Sequence, residues 1–119
     1  MVDVQGTGGV RIDTPEIKSA VINDSSSGDN TIVAAVSGKK IAVLGVFVMS
    51  DGTVDVRFED GVAGAFKTGQ MPLEAREGFV LPIGGPESYW WIGSANTLLN
   101  LELSAAINVH GLVSYREID

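Results

Sequence analysis

Two stretches near the carboxyl end of the chain alternate apolar and polar residues, and this alternation limits the possible folds. Leu99, Leu101 and Leu103 alternate with polar residues, and the apolar positions from Ile107 to Tyr115 do so with one exception. A period of two is typical of strands that bury one face. Because Ser104–Ala106 is the only link, we predict a β-hairpin in which Leu103 faces Ile107.

The composition indicates a single all-β domain. The chain has 119 residues, of which 15 are glycine, and 45% are hydrophobic. This length allows one core, and glycine-rich sequences with many Val, Ile and Thr residues are typical of short strands joined by turns. Turn residues recur roughly every 8 to 12 residues, as in antiparallel sandwiches and barrels. We predict a flexible arm over residues 1–14 and one domain over residues 15–119.

The segment from Ile41 to Met49 is apolar on both of its predicted faces. Such a strand must be covered on both sides, either by its own chain or by another subunit. Gly45, at its centre, indicates a β-bulge or a close backbone approach. A subunit interface is predicted at the side chains expected to point outward, namely Leu44, Val46, Val48 and Leu112.

Two Asp-Gly pairs indicate tight turns on either side of the next strand. Asp51-Gly52 and Asp60-Gly61 are typical hairpin turns, so we predict a three-strand meander. Between them, Val54, Val56 and Phe58 are expected to face the core, and the alternate residues Asp55, Arg57 and Glu59 to face water. Carboxylates on a solvated face are not expected to form a catalytic pair.

The charge of the chain limits its partners. The net charge is −7, and an acidic surface repels phosphate backbones and anionic lipids, so we expect neither a nucleic acid nor a membrane partner. There is no cysteine, which excludes disulfides and thiolate sites. The first ten residues lack the pattern of a signal peptide, so synthesis in a cytoplasm is expected.

Few residues are available for catalysis. His110 is the only histidine, so one chain cannot assemble a histidine-rich metal cluster. A catalytic triad would have to use the same residue, and no GxSxG motif is present. We therefore expect no catalytic residue, no metal site and no cofactor, and predict that the protein is not an enzyme.

Trp90 and Trp91 are the most distinctive adjacent pair in the sequence. In a strand their side chains point to opposite faces, so one is expected in the core. The other is then free to stack on a sugar, to anchor an interface or to cover a sheet edge. A carbohydrate-binding module that uses Trp90 or Trp91 as its platform is therefore an alternative function.

Several segments of the chain, in order, resemble those of small structural proteins of tailed bacteriophages. The matching segments are VSGKKIAVL at Val36–Leu44, VDVRF at Val54–Phe58, GFVLP at Gly78–Pro82, the pair Trp90-Trp91, and LNLELSAAINVHGLVSY at Leu99–Tyr115. The resemblance covers about two thirds of the chain and is a pattern of strands rather than a catalytic motif. The first 30 residues have no match.

The resemblance implies a jelly-roll-like β-sandwich of about eight strands, located in the virion. The expected type is a head decoration or head-fibre protein, with a tail-associated structural protein as the alternative. Such proteins are often homotrimers. The expected partners are further copies of the chain and the phage major capsid protein or another virion protein, with attachment through the arm, residues 1–14.

Overall fold

The computed structural model describes residues 16–119, and every regular element among them is a β-strand. The predicted arm, residues 1–14, lies outside the described residues. No helix of the described part is long and apolar enough to cross a membrane. The strands are β1 (Lys18–Asp24), β2 (Gly28–Val33), β3 (Lys40–Ser50), β4 (Val54–Asp60), β5 (Ala65–Phe66), β6 (Met71–Leu73), β7 (Gly78–Leu81), β8 (Trp91–Ile92), β9 (Leu99–Leu103) and β10 (Val109–Ile118).

The strands form two sheets in which all pairs are antiparallel. The first sheet has the order β1-β10-β3-β7 and the second has the order β2-β9-β4-β5. The short β8 shares one edge of β3 with β7, and β6 shares one edge of β4 with β5. The ten segments therefore occupy eight strand positions, and their order is that of a jelly roll. The predicted all-β, jelly-roll-like sandwich is confirmed.

The core lies between the inner faces of the two sheets. Phe58, Leu101 and Leu103 from the second sheet and Val43 and Val113 from the first are almost completely buried. Each large side chain of this kind stabilises the fold by about 1.5–3 kcal/mol relative to an exposed one. The inward orientation predicted for the apolar residues is confirmed in β4 and β9 and, in β10, for Val109, Val113 and Tyr115.

The predicted hairpin between Leu99 and Tyr115 is wrong. β9 pairs with β2 and β4, whereas β10 pairs with β1 and β3 in the other sheet. The link between β9 and β10 therefore crosses from one sheet to the other. The apolar rows of the two strands contribute to one core from opposite sides instead of sharing a face. A period of two identifies the buried face of a strand but not its pairing partner.

Only one of the two predicted Asp-Gly hairpins forms. At Asp60-Gly61 the chain turns back, Glu59 pairs with Phe66, and Gly61 has a φ of 90°. At Asp51-Gly52 the chain passes instead from β3 in the first sheet to β4 in the second. The predicted three-strand meander is therefore wrong, because a short connection can cross the end of a sandwich as well as close a hairpin.

A β-bulge interrupts the pairing of β3 with β10. Gly45 pairs with Ser114 and Val43 with Tyr115, so Leu44 is an extra residue without a partner. The bulge reverses the alternation, and the side chains on both sides of it, Val43 and Val46, belong to the core. The bulge expected near Gly45 is confirmed.

Gly45 is also a point of close backbone approach. A Cβ atom there would lie 2.9 Å from the carbonyl oxygen of Leu81 and 2.8 Å from Cγ1 of Ile83. The segment after β7 thus passes over β3 at this glycine. We predict that Gly45→Ala lowers the free energy of unfolding by about 1–3 kcal/mol, because the added methyl group forces the backbones apart.

Urea unfolding followed by circular dichroism measures this effect. Gly69→Ala is the matched control, because a Cβ at Gly69 meets no atom within 4 Å. The control is expected to change the stability by no more than about 0.5 kcal/mol. Equal stabilities of the two variants would contradict the close approach at Gly45.

Candidate functional site

The first sheet turns a row of large apolar side chains away from the core. Val21, Leu112, Phe47 and Val80 are consecutive cross-strand partners on β1, β10, β3 and β7. Val21 is 72% exposed, Val80 66% and Phe47 49%. Met49, which follows Phe47 on the same face, is 53% exposed. A contiguous row of this kind, unlike isolated exposed apolar residues, is typical of a binding surface.

We define the outer face as the outward positions of these four strands in that row and in the next row on either side of it. Its members are Ser19, Val21, Asn23, Gly45, Phe47, Met49, Gly78, Val80, His110, Leu112 and Ser114. None of these side chains is an Asp, Glu, Lys or Arg. A groove of about 490 Å³ runs along this face beside Phe47 and Met49, with Gly78 and Gly111 in its lining. The outer face is thus uncharged and contains both projecting side chains and a depression.

The outward orientation predicted for Val46 and Val48 is wrong. Both side chains belong to the hydrophobic core and are almost completely buried, and Leu44 is also fully buried. The cause is the bulge at Leu44, which the uninterrupted alternation assumed from the sequence does not include. None of the three is therefore available to another subunit. Leu112 is partly exposed on the outer face, where it lies between Val21 and Phe47.

The two tryptophans point in opposite directions, as predicted. Trp91 packs against the core, with its ring centroid 5.3 Å from that of Phe58. Trp90 is 49% exposed, and its indole Nε1 donates a hydrogen bond to the carbonyl oxygen of Pro82 at 3.0 Å. That bond fixes the indole beside a shallow groove lined by Tyr89 and Ser88. Of the two proposed ligand platforms, Trp90 is the more exposed, because Trp91 is partly covered by the core.

The second sheet carries a buried polar cluster that the sequence did not predict. Glu59, expected on a solvated face, is fully buried, as is Asn100 beside it on β9. The Asn100 amide donates to Glu59 Oε1 at 3.1 Å and to Asp29 Oδ1 at 2.7 Å. Arg57 Nη2 lies 2.7 Å from Glu59 Oε2 and 3.7 Å from Glu102 Oε1. The cluster therefore satisfies a carboxylate that would otherwise be costly to bury.

Carboxylate oxygens of Asp29, Glu59 and Glu102 lie within 4.8 Å of one another, which is close enough for three ligands of one cation. Arg57 and Asn100 already provide hydrogen-bond partners to Glu59 in this cluster. Burial raises the pKa of the Glu102 carboxyl above its usual range, and the charges of Glu59 and Asp29 raise it further. We assign the cluster to the stability of the fold, with Arg57 as its internal countercharge.

Neutralising two different carboxylates of this cluster is expected to change the stability of the fold in opposite directions. Glu59→Gln removes the buried negative charge that pairs with the partly buried guanidinium of Arg57, and it is expected to destabilise the fold by about 1–3 kcal/mol at pH 7. Glu102→Gln is expected to stabilise it at pH 7, since the raised pKa means that folding favours the neutral carboxyl. Both variants are compared with the wild type by urea unfolding.

The pH dependence supplies the control. The stabilising contribution of the neutral Glu102 carboxyl is present below the unfolded-state pKa of 4.5 and is lost as the pH rises through the higher folded-state pKa. The advantage of Glu102→Gln over the wild type should therefore shrink as the pH falls through the raised folded-state pKa, and it should be at its minimum below about 4.5. Glu87→Gln, in the exposed loop after β7, is the matched control and should have no such profile. An unchanged difference at all pH values would contradict the assignment.

His110 lies at one end of the outer face. Its Nε2 is 3.0 Å from Asp51 Oδ1, and Asn108 Nδ2 lies 3.0 Å from the same nitrogen. Among residues 16–119, no serine or threonine hydroxyl is hydrogen-bonded to its ring. The described contacts of His110 are thus those of a surface side chain paired with a loop carboxylate.

Comparisons with known proteins give no family for the chain. No family model matches it, and no curated protein matches it. One chain of the solved structure described as "Cyanophage Pam1 capsid asymmetric unit" is similar over 96% of this chain and 97% of its own length, with 13% identity and a TM-score of 0.43. An identity and a TM-score this low carry no argument about function. The jelly-roll assignment comes from the strand order itself.

Proposed function

We propose that this chain is a non-enzymatic structural protein of a tailed-bacteriophage virion. In this proposal it forms a homotrimer that binds the head as a decoration or head-fibre protein, with the major capsid protein or another virion protein as its partner. Three copies bound together dissociate far more slowly than one, because each remaining contact holds the others close to their sites. The trimer would stabilise the shell or present a surface to the host.

The observation that carries this proposal is the apolar, uncharged outer face on a jelly roll with a net charge of −7. An exposed row of four large apolar side chains is costly in water and indicates a protein partner. The sequence resemblance to small phage structural proteins, which spans most of the strands, supports the same class. The described contacts of His110 and of the carboxylate cluster fit structural roles.

The first expected outcome is the mass of the protein in solution. Light scattering behind a sizing column should give three times the 12.5 kDa of one chain, because the outer face is unfavourable in contact with water. Maltose-binding protein, a monomer, serves as the calibration control. A mass of one chain at micromolar concentration would contradict the trimer.

A second measurement tests the location. Mass spectrometry of particles purified from the phage or prophage that encodes the chain should detect it at a fixed ratio to the major capsid protein. Its presence in empty heads that lack tails would assign it to the head. Its absence from purified particles would overturn the virion proposal, whatever the oligomeric state.

A second candidate function, glycan binding, is favoured by the exposed indole of Trp90. The ring is fixed by its bond to Pro82 and lies beside the hydroxyl-bearing residues Tyr89 and Ser88. A fixed, exposed aromatic ring of this kind can stack on the apolar face of a sugar. This function would add to a virion role rather than replace it.

If glycan binding is correct, Trp90→Ala should abolish binding on a glycan array, with the melting temperature changed by only a few degrees. Phe66→Ala is the matched control, because Phe66 is an exposed aromatic residue, 65% accessible, in the other sheet. Isothermal titration with the best array ligand measures the loss. No binding by the wild type to any glycan at millimolar concentration would exclude this function.

A further inference from the structure

We infer that the outer face of the first sheet is the surface through which copies of this chain bind one another. The inference rests on the self-association in the proposed function and assigns a surface to it. It replaces the interface expected from the sequence, since Leu44, Val46 and Val48 are buried within the monomer. The residues assigned to the contact are Val21, Phe47, Met49, Val80 and Leu112.

The charge distribution favours a second copy as the occupant. The chain has a net charge of −7, so two copies repel each other through most approaches. No member of the outer face is an Asp, Glu, Lys or Arg, and Nε2 of its one histidine, His110, lies 3.0 Å from Asp51 Oδ1. Contact through this face brings apolar groups together without placing carboxylates opposite one another. A basic partner would meet no carboxylate among the members of the outer face.

The shape of the face fits the same occupant. Phe47 and Met49 project from β3, and the groove beside them runs over Gly78 and Gly111. Val21, on β1 at the opposite edge of the sheet, is the most exposed side chain of the row. One copy thus offers both the projecting side chains and a depression that can receive them. Because Val21 lies on the edge strand β1 and the groove lies beside β3 and β7, such a contact can continue around a closed ring of copies.

The size of the face is also suitable. Four strands about 4.8 Å apart and three outward rows about 6.7 Å apart cover roughly 400 Å². Ile83, 52% exposed, lies over Gly45 and extends the apolar area. A standard interface uses about 800 Å² per partner, with an apolar centre and a polar rim. The outer face has the area of such a centre, and the polar residues Ser19, Asn23 and Ser114 lie around it.

The test places one charge in the face. Phe47→Asp and Val80→Asp are expected to reduce the light-scattering mass from the trimer to a single chain, because each would bury an unpaired carboxylate in the contact. Val62→Asp is the matched control, as Val62 is an apolar residue 59% exposed in the β4–β5 turn. Circular dichroism verifies that each variant is folded. A trimeric Phe47→Asp protein would overturn the inference.

A second measurement does not depend on whether the charged variants fold. The natural chain has no cysteine, so Val80→Cys and Val62→Cys each introduce a single thiol at sites of similar exposure, 66% and 59%. In the assembled protein the thiol of Val80→Cys should react with a maleimide at least about tenfold more slowly than that of Val62→Cys, because the contact covers it. Equal rates in a trimer would overturn the inference.

The outcomes separate this inference from the proposed function. If the protein is a trimer and is found in particles, but the thiol of Val80→Cys is not protected, the virion proposal stands and this face is excluded as the contact. A protected thiol in a protein with the mass of one chain would mean that its own residues cover the face, which also overturns the inference. Absence from particles overturns the virion role alone.

Discussion

The register of β3 against β10 determines the surface of the first sheet. These are the two longest strands, and they form the centre of that sheet. Their pairing contains one extra residue, Leu44, which lets Val43 and Val46 both face the core. From that point to the end of β3, the bulge assigns Phe47 and Met49 to the outside. Without it, those two side chains would enter the core and Val46 and Val48 would face water.

The sequence predicted which apolar residues lie in the core better than it predicted which strands pair with each other. Alternation identified the buried apolar residues of β4, β9 and β10, because it depends only on which face of a strand meets the core. It did not identify the partners of β9 and β10, which lie in different sheets. A short link such as Ser104–Ala106 is compatible with a hairpin and with a crossing between sheets. Pairing is decided by the packing of all strands together, which local pattern does not contain.

The candidate site was predicted only in part, and for two physical reasons. Leu112 was placed on the outer face because β10 keeps its alternation, whereas the bulge moved the β3 members of the prediction inward. The indication of a bulge was present in Gly45, but a glycine does not show which neighbour becomes the extra residue. Glu59 and Asn100 were missed because polar residues at outward positions are usually solvated. Their complementary chemistry becomes visible only when β4 and β9 lie side by side.

On one side of the molecule, both sheets end in two short segments rather than one long strand. β7 and β8 share the edge of β3, and β5 and β6 share the edge of β4. The longest of the four, β7, has four residues, and Pro82 follows it directly. Another chain that adds to a sheet edge needs an extended row of unpaired backbone donors and acceptors. At this end of the sandwich no such row exceeds four residues, so the growth of fibrous aggregates by strand addition is hindered there.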